Sequence, residues 1–294
     1  MISYHMDWSI PEKESGLDIK TFLNKHNISK RMLTDIKFAG GKISVNNQEV
    51  TVRYVLQKGD HLSILFPPEP KSPTLQPEDI LLDIIYEDKD LLVINKPPYM
   101  STIPSREHPD GSLANGIYGY YRQKKIESAI HIVTRLDRDT SGLVLVAKHR
   151  HIHHLMSLQQ KKREIKRSYE AIAEGSFSVL EGKITEPIGR KDTSIIEREV
   201  REDGKAAITH YRVFRQYEGY AHVGLALDTG RTHQIRVHMS YKGHPLLGDS
   251  LYGGNPDKID RQALHCRSLS FLHPNTGEQL HFQVPLPVDM KRLL

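Results

Sequence analysis

Residues 131 to 148, His-Ile-Val-Thr-Arg-Leu-Asp-Arg-Asp-Thr-Ser-Gly-Leu-Val-Leu-Val-Ala-Lys, constrain the fold more than any other stretch. An extended approach at Ile132 and Val133 runs into a charged turn, Arg135 to Gly142, and then into five apolar residues, Leu143 to Ala147. That order reads as strand, loop, strand. A loop pinned between buried strands holds its carboxylates in fixed places, and function concentrates on loops of this kind. Taken alone, the same residues also fit a plain polar turn whose Asp caps a backbone amide and whose arginines are solvated.

At 294 residues the chain exceeds the size at which one core keeps growing, which predicts a large domain with a smaller companion. With 38% hydrophobic and 26% charged residues it has the composition of a soluble globular protein. No run is long and apolar enough to span a bilayer, and Met1 to Ile10 lack a basic-then-apolar signal, so no membrane association and a cytoplasmic location are expected. One cysteine, Cys266, excludes an internal disulfide and any cysteine-cluster metal site, and is expected to be a small buried hydrophobe. The net charge of +5 is unevenly spread: residues 17–66 hold eight Lys or Arg against four acids, and residues 148–167 hold seven against one. Two basic patches on an otherwise acidic background point to a polyanion, nucleic acid first.

Residues 1–16 are expected to be an extended lead-in. From Leu17 the spacing predicts two short helices, the second capped by Ser29, with Met32, Leu33 and Ile36 inward and Lys30, Arg31 and Lys37 outward. Short strands follow around Ile43–Val45, Val50–Val52 and Leu62–Phe66. Four prolines between 67 and 73 mark a linker over 67–79, and a second domain, 80–294, opens with two apolar strands joined by the acidic turn 87–90. Helices are predicted near 115–128 and 149–163, and a strand over 163–175 carries Tyr169, Ala171 and Ala173 on one face. Four histidines between 149 and 154 invite a metal site, but no acidic third ligand lies at helical spacing, and no metal is expected.

The helix pair with Ser29-Lys-Arg31, Gly41-Lys-Ile-Ser-Val-Asn-Asn47 and Lys58-Gly-Asp60 resembles the small RNA-binding domain of a small-subunit ribosomal protein and some tRNA synthetases. The resemblance implies that Lys30, Arg31 and Lys37 contact RNA phosphates. Arg135-Leu-Asp-Arg-Asp-Thr-Ser-Gly142, Arg167-Ser-Tyr169 and Thr229-Gly-Arg-Thr-His-Gln-Ile-Arg236, in that order, resemble the RluA-like family of pseudouridine synthases, from about Leu82 to Pro287. Asn95-Lys-Pro97, Gly204-Lys-Ala206, Gly248-Asp249, Tyr252-Gly253 and Ala263-Leu-His265 also fall where that family has them.

The resemblance implies an α+β fold: a catalytic domain on a mixed, largely antiparallel β-sheet with flanking helices and loops, plus the small α/β RNA-binding domain. It implies isomerisation of uridine to pseudouridine in structured RNA, large-subunit ribosomal RNA ahead of tRNA, by a monomer without a cofactor. It makes Asp137 the catalytic carboxylate, Arg231 its basic partner with Arg135 in support, Tyr169 the aromatic platform for the target base, and Arg167 a substrate contact. Thr134 stands where the family commonly has His, and Arg167 where Lys is commoner. An ionised carboxylate can attack the anomeric carbon or the base ring, or abstract a sugar proton; each route needs Asp137 charged and fixed, which a nearby guanidinium favours. The competing readings are a non-catalytic RNA-binding or ribosome-assembly protein, in which Asp137 is a turn residue, and a glycosylase that would release free base.

Overall fold

The computed structural model describes residues 4–105 and 108–294. Among the described residues three sheets form, and the two larger ones each have their own apolar core. In the first, β1 (His5–Ser9) precedes helices α1 (Ile19–Lys25) and α2 (Lys30–Phe38), followed by β2 (Lys42–Val45), β3 (Gln48–Glu49) and β4 (His61–Leu65). The side chains of Asp18 and Ser29 cap the two helices by accepting from the amides of Thr21 and Met32, which satisfies donors a helix start leaves free. Phe22, Leu23, Ile36, Leu62 and Ile64 fill the space between helices and sheet.

One expectation for this region needs correction. Residues 1–16 are not merely a lead-in: β1 pairs antiparallel with β4 from His5↔Leu65 to Ser9↔His61 and completes the sheet in the order β1-β4-β2-β3. The linker 67–79 packs against the second unit. Glu69 is buried, and the segment's far end lies across a helix of the second unit, with Asn115 Nδ2 donating to the Gln76 carbonyl. Gly119 permits that crossing, because a Cβ there would sit 1.9 Å from the Glu78 carbonyl oxygen.

The second unit opens with β5 (Ile84–Glu87), β6 (Leu91–Lys96), α3 (Leu113–Lys124), β7 (His131–Ile132), β8 (Ser141–Ala147) and α4 (Arg150–Lys161). It continues through β9 (Lys166–Glu174), β10 (Glu181–Ile184), β11 (Ile188–Arg190), β12 (Arg198–Val200), β13 (Thr209–Tyr217) and β14 (Tyr220–Leu227). Helix α5 (Gln234–Tyr241), β15 (Leu264–Leu272), β16 (Gln279–Gln283) and α6 (Val288–Lys291) complete it. Ten strands make one sheet, β10-β13-β14-β9-β15-β8-β6-β5, with β16 on β15 and β7 on β8. The short pair β11–β12 stands apart, and β12 falls in a charged stretch that carries no strand signal in the sequence. The expected mixed, largely antiparallel α+β architecture is what forms.

Every residue of β8 is buried, which is why its sequence is a continuous apolar run rather than an alternating one. Ile117 and Tyr121 of α3 and Ile152 and Met156 of α4 join its core. Among the described residues, strands β8 and β15 form the sheet's single parallel pairing, His265↔Ser141 and Cys266↔Gly142, at the point where the charged loop 135–140 enters β8. Gly142 has φ +113°, and a Cβ there would lie 2.3 Å from the carbonyl oxygen of Cys266. Gly142→Ala must therefore strain the backbone or separate the strands, and should lower unfolding stability by roughly 2 kcal/mol or more. Denaturant unfolding measures this; an unchanged midpoint would show that the close approach is not needed.

Candidate active site

The loop 135–140 is tied down by backbone contacts from three directions. Thr102, buried, accepts through Oγ1 from the Leu136 amide (3.2 Å) and donates to the Leu136 carbonyl (2.6 Å). Lys96, at the end of β6 and fully buried, donates from Nζ to the carbonyls of Arg138 (3.0 Å), Pro97 (2.9 Å) and Met100 (2.8 Å). Arg261 donates from Nη1 to the Asp139 carbonyl (3.1 Å), while its Nε and Nη2 grip Asp289 at the start of α6. Thr134, just before the loop, is buried and accepts from the Leu145 amide (2.9 Å), so it serves the strand.

So held, Asp137 lines a cavity of ≈ 80 Å³ that shares its wall with a larger cleft of ≈ 540 Å³. Tyr169, Arg135, Arg167 and Arg231 line the cavity too, so the predicted residues of the second domain come together. Tyr169 sits on β9 between Leu225 of β14 and Cys266 of β15, in the middle of the sheet, and burial raises the pKa of its hydroxyl. Asp139 lines neither space, and its carbonyl, not its carboxylate, meets Arg261.

The charge partner of Asp137 differs from the expected one. Arg231 lines the cavity but donates from Nε to the Ala206 carbonyl (3.0 Å) and forms no ion pair with Asp137. The guanidinium beside Asp137 belongs to Arg236, whose Nη1 lies 3.3 Å from Oδ2. The cause is where α5 begins. Gln234 is buried, and its side chain accepts from the Arg231 amide and the Thr229 hydroxyl while donating to the Ile208 carbonyl. That closes the turn and leaves Arg231 in the loop, exposed, with Arg236 on the inward face of the helix.

Arg236 is itself clamped. Its Nε and Nη2 donate to the two oxygens of Asp249, both at 2.7 Å, and its guanidinium lies over the Tyr252 ring at 4.9 Å. Burial works against its charge, but Asp249 and then Asp137 outweigh this and raise its pKa above the ordinary arginine value. A second chain reaches the same carboxylate: the Arg198 amide donates to the Tyr252 hydroxyl (2.9 Å), which lies 2.8 Å from His233 Nδ1. His233 Nε2 then stands 3.8 Å from Asp137 Oδ2. Burial lowers the pKa of His233 against the pull of Asp137, and a neutral ring accepting from Tyr252 at Nδ1 would carry its proton on Nε2, toward Asp137. Both contacts fall on Oδ2, and among the described residues nothing hydrogen-bonds to Asp137 Oδ1.

Arg236, His233, Asp249, Lys96 and Arg261 are site residues that reasoning from sequence missed. Arg236, His233, Asp249 and Lys96 lay inside motifs already singled out, but without structure nothing separated Arg236 from Arg231. The histidines 149–154 play no part in the cavity; His149 caps α4 and packs away from it. Among the described residues one group, Asp88, Asp90 and His273, has metal-ligand spacing. Its ligand atoms are taken by protein donors: Tyr86 and the amides of Asp90 and Leu91 on Asp88, Tyr4 and Asn275 on Asp90.

Burial pushes the Lys96 ammonium down to about 7 against the pull of Asp139 and Asp137, from an ordinary value of 10.5. Between those values the unfolded chain holds a proton that the folded chain releases, so raising the pH through this window favours folding. Wild-type protein should gain stability from about pH 7 to about pH 9.5 by a contribution that Lys96→Met lacks. Urea midpoints for both proteins across that range test it; a stability gap independent of pH would contradict it.

The RNA pseudouridylate synthase family model matches residues 90–241. The chain is 53% identical over 278 residues to the Bacillus subtilis protein YjbO, named as an uncharacterized RNA pseudouridine synthase, covering 95% of this chain and 98% of that one. It is 42% identical over 265 residues to ribosomal large subunit pseudouridine synthase D of Vibrio parahaemolyticus, covering 85% and 81%. The solved structure of human RNA pseudouridylate synthase domain containing 1 superposes with a TM-score of 0.59 at 27% identity, covering 71% of this chain and 84% of that one. With the ordered motifs, these matches establish that the chain belongs to the RluA-like family of RNA pseudouridine synthases.

Proposed function

We propose that Asp137 is the catalytic carboxylate, acting on a uridine turned out of large-subunit ribosomal RNA. The observation that carries this is that Asp137 is the one acid among the described residues lining the cavity and its cleft, in a wall that includes Arg135, Arg167, Arg231 and Arg236. The reaction breaks the bond from base nitrogen to sugar, turns the base, and joins ring carbon five to the same sugar carbon, with no net oxidation. It needs a charged carboxylate in a fixed position, and Arg236 and His233 supply the fixing at Oδ2, which leaves Oδ1 without a protein partner among the described residues. Attack on the sugar, attack on the base ring and abstraction of a sugar proton are all compatible with that arrangement.

A base inside folded RNA must be unstacked to reach the cavity, and an aromatic face there recovers roughly 1–3 kcal/mol. Tyr169 fills that role, while Arg135, Arg167 and Arg231 meet the phosphates on either side of the turned-out nucleotide. The first unit binds the same RNA farther along through Lys30, Arg31 and Lys37, all exposed on α2. Ribosomal RNA is favoured because the named activity of the Vibrio relative is on the large ribosomal subunit.

Asp137→Asn should reduce pseudouridine formation by at least about a thousandfold while RNA affinity stays within about twofold. Retained turnover would remove Asp137 from the chemistry. Mapping pseudouridines in a deletion strain tests the substrate: at least one should vanish from large-subunit ribosomal RNA, and an intact set there would redirect the search to other RNAs.

A further inference from the structure

Glu69, in the proline-rich segment between the two units, is 8% exposed, unusual for an acid in a linker. Its Oε2 lies 2.6 Å from His131 Nε2 and accepts from the Ala129 amide (3.0 Å). Its Oε1 accepts from the Arg150 amide (2.7 Å) and lies 3.2 Å from His149 Nε2. These partners belong to the approach to β7, to β7 itself and to the first turn of α4, all in the second unit. Burial alone would raise the pKa of Glu69, but the hydrogen bond and charge of His131, with the Arg150 amide, prevail and bring it to about 2. The carboxylate is thus charged, buried and fully engaged.

Around it the two units are in direct contact. Tyr4 stacks on His149 with ring centres 4.1 Å apart and donates to Asp90 (2.9 Å). Phe66, at the end of the first unit's core, packs edge-on against His149 at 4.8 Å and over His151 at 5.8 Å. Burial lowers His149 to about 3 and His151 to about 4, so both rings are neutral at physiological pH and behave as flat apolar surfaces. Arg150 Nη1 meets Asp35 of α2 at 2.9 Å. Asp35 lies at the edge of the exposed face of α2, so the contact leaves Lys30, Arg31 and Lys37 open to solvent.

The helix that receives this contact also leads to the cleft. Arg150 begins α4, and Gln160, near its end, lines the cleft that holds Asp137. Twelve residues of helix span about 18 Å, so α4 acts as a rigid spacer between α2 and the reacting base. We propose that Glu69 is a positioning residue that locks the first unit onto the start of α4, so that RNA is gripped at a set distance from the cleft. The inference rests on the reading that α2 binds RNA. A flexible tether would let the two units engage sites at many separations, whereas a locked one favours RNAs whose contacts match the span.

The test uses the full chain with Glu69→Ala, Glu69→Gln, and the triple reversal Lys30→Glu, Arg31→Glu, Lys37→Glu. Hydrogen exchange at the Ala129 and Arg150 amides reports the lock. Unmodified large-subunit ribosomal RNA transcript and a fragment trimmed to the hairpin carrying the modified uridine report its use. Glu69→Ala should speed exchange at both amides and lower kcat/KM on the long transcript roughly tenfold, with the hairpin within about twofold. Glu69→Gln, which still accepts from a backbone amide, should fall between wild type and Glu69→Ala. Unchanged kcat/KM on the long transcript, or an equal loss on both RNAs, would overturn the lock. The triple reversal separates the readings: if it weakens long-RNA binding while Glu69→Ala behaves as wild type, only the lock fails. If it leaves binding intact, the RNA-binding reading of α2 fails and the lock with it.

Discussion

The site depends on one buried guanidinium. Arg236 is gripped through two nitrogens by Asp249 and presents a third to Asp137, so the position of the Asp137 carboxylate is set by an ion pair with a residue outside the cavity wall. Burying such a pair costs desolvation that its mutual attraction offsets only when the geometry is good and the remaining donors are satisfied. Here both contacts to Asp249 are 2.7 Å, and the face of Tyr252 covers the guanidinium. The arrangement is weak evidence for stability and good evidence for placement.

Placement extends to the backbone. Lys96, Thr102 and Arg261 bind main-chain atoms of residues 136, 138 and 139, so the loop is fixed whatever its side chains do. Each anchor comes from a different part of the sheet's surroundings: the end of β6, the segment before α3, and the approach to β15 with its tie to α6. The parallel junction of β8 with β15 at Gly142 brings those parts together. A charged loop of six residues would otherwise sample many shapes, and catalysis by positioning loses its advantage when the reacting group moves by an ångström or so.

How far the sequence revealed this depended on the range of the interaction. Strands and helices carried by local periodicity were legible: β8 from its apolar run, α2 from Ser29 and its inward Met32 and Ile36, β9 from Tyr169, Ala171 and Ala173. Motif order brought Asp137, Tyr169 and Arg231 to one cavity. The choice between Arg231 and Arg236 was not legible, because it turns on Gln234 closing the loop and starting α5, a set of contacts to Thr229 and Ile208 that no spacing rule encodes. Strand β1 was missed because its pairing partner lies more than fifty residues away. Glu69 was missed for a related reason: an acid among prolines reads as solvated until the amides of Ala129 and Arg150 are seen around it.

The most direct test of this account is the turnover of Asp249→Asn. Asparagine keeps the shape but not the charge, so Arg236 should loosen and Asp137 with it. The kcat of folded enzyme should fall on the order of a hundredfold, with RNA affinity within about twofold, because Asp249 lies outside the cavity wall. A folded Asp249→Asn enzyme with wild-type kcat would contradict the claim that Arg236, clamped by Asp249, sets the position of the carboxylate proposed to react, that of Asp137.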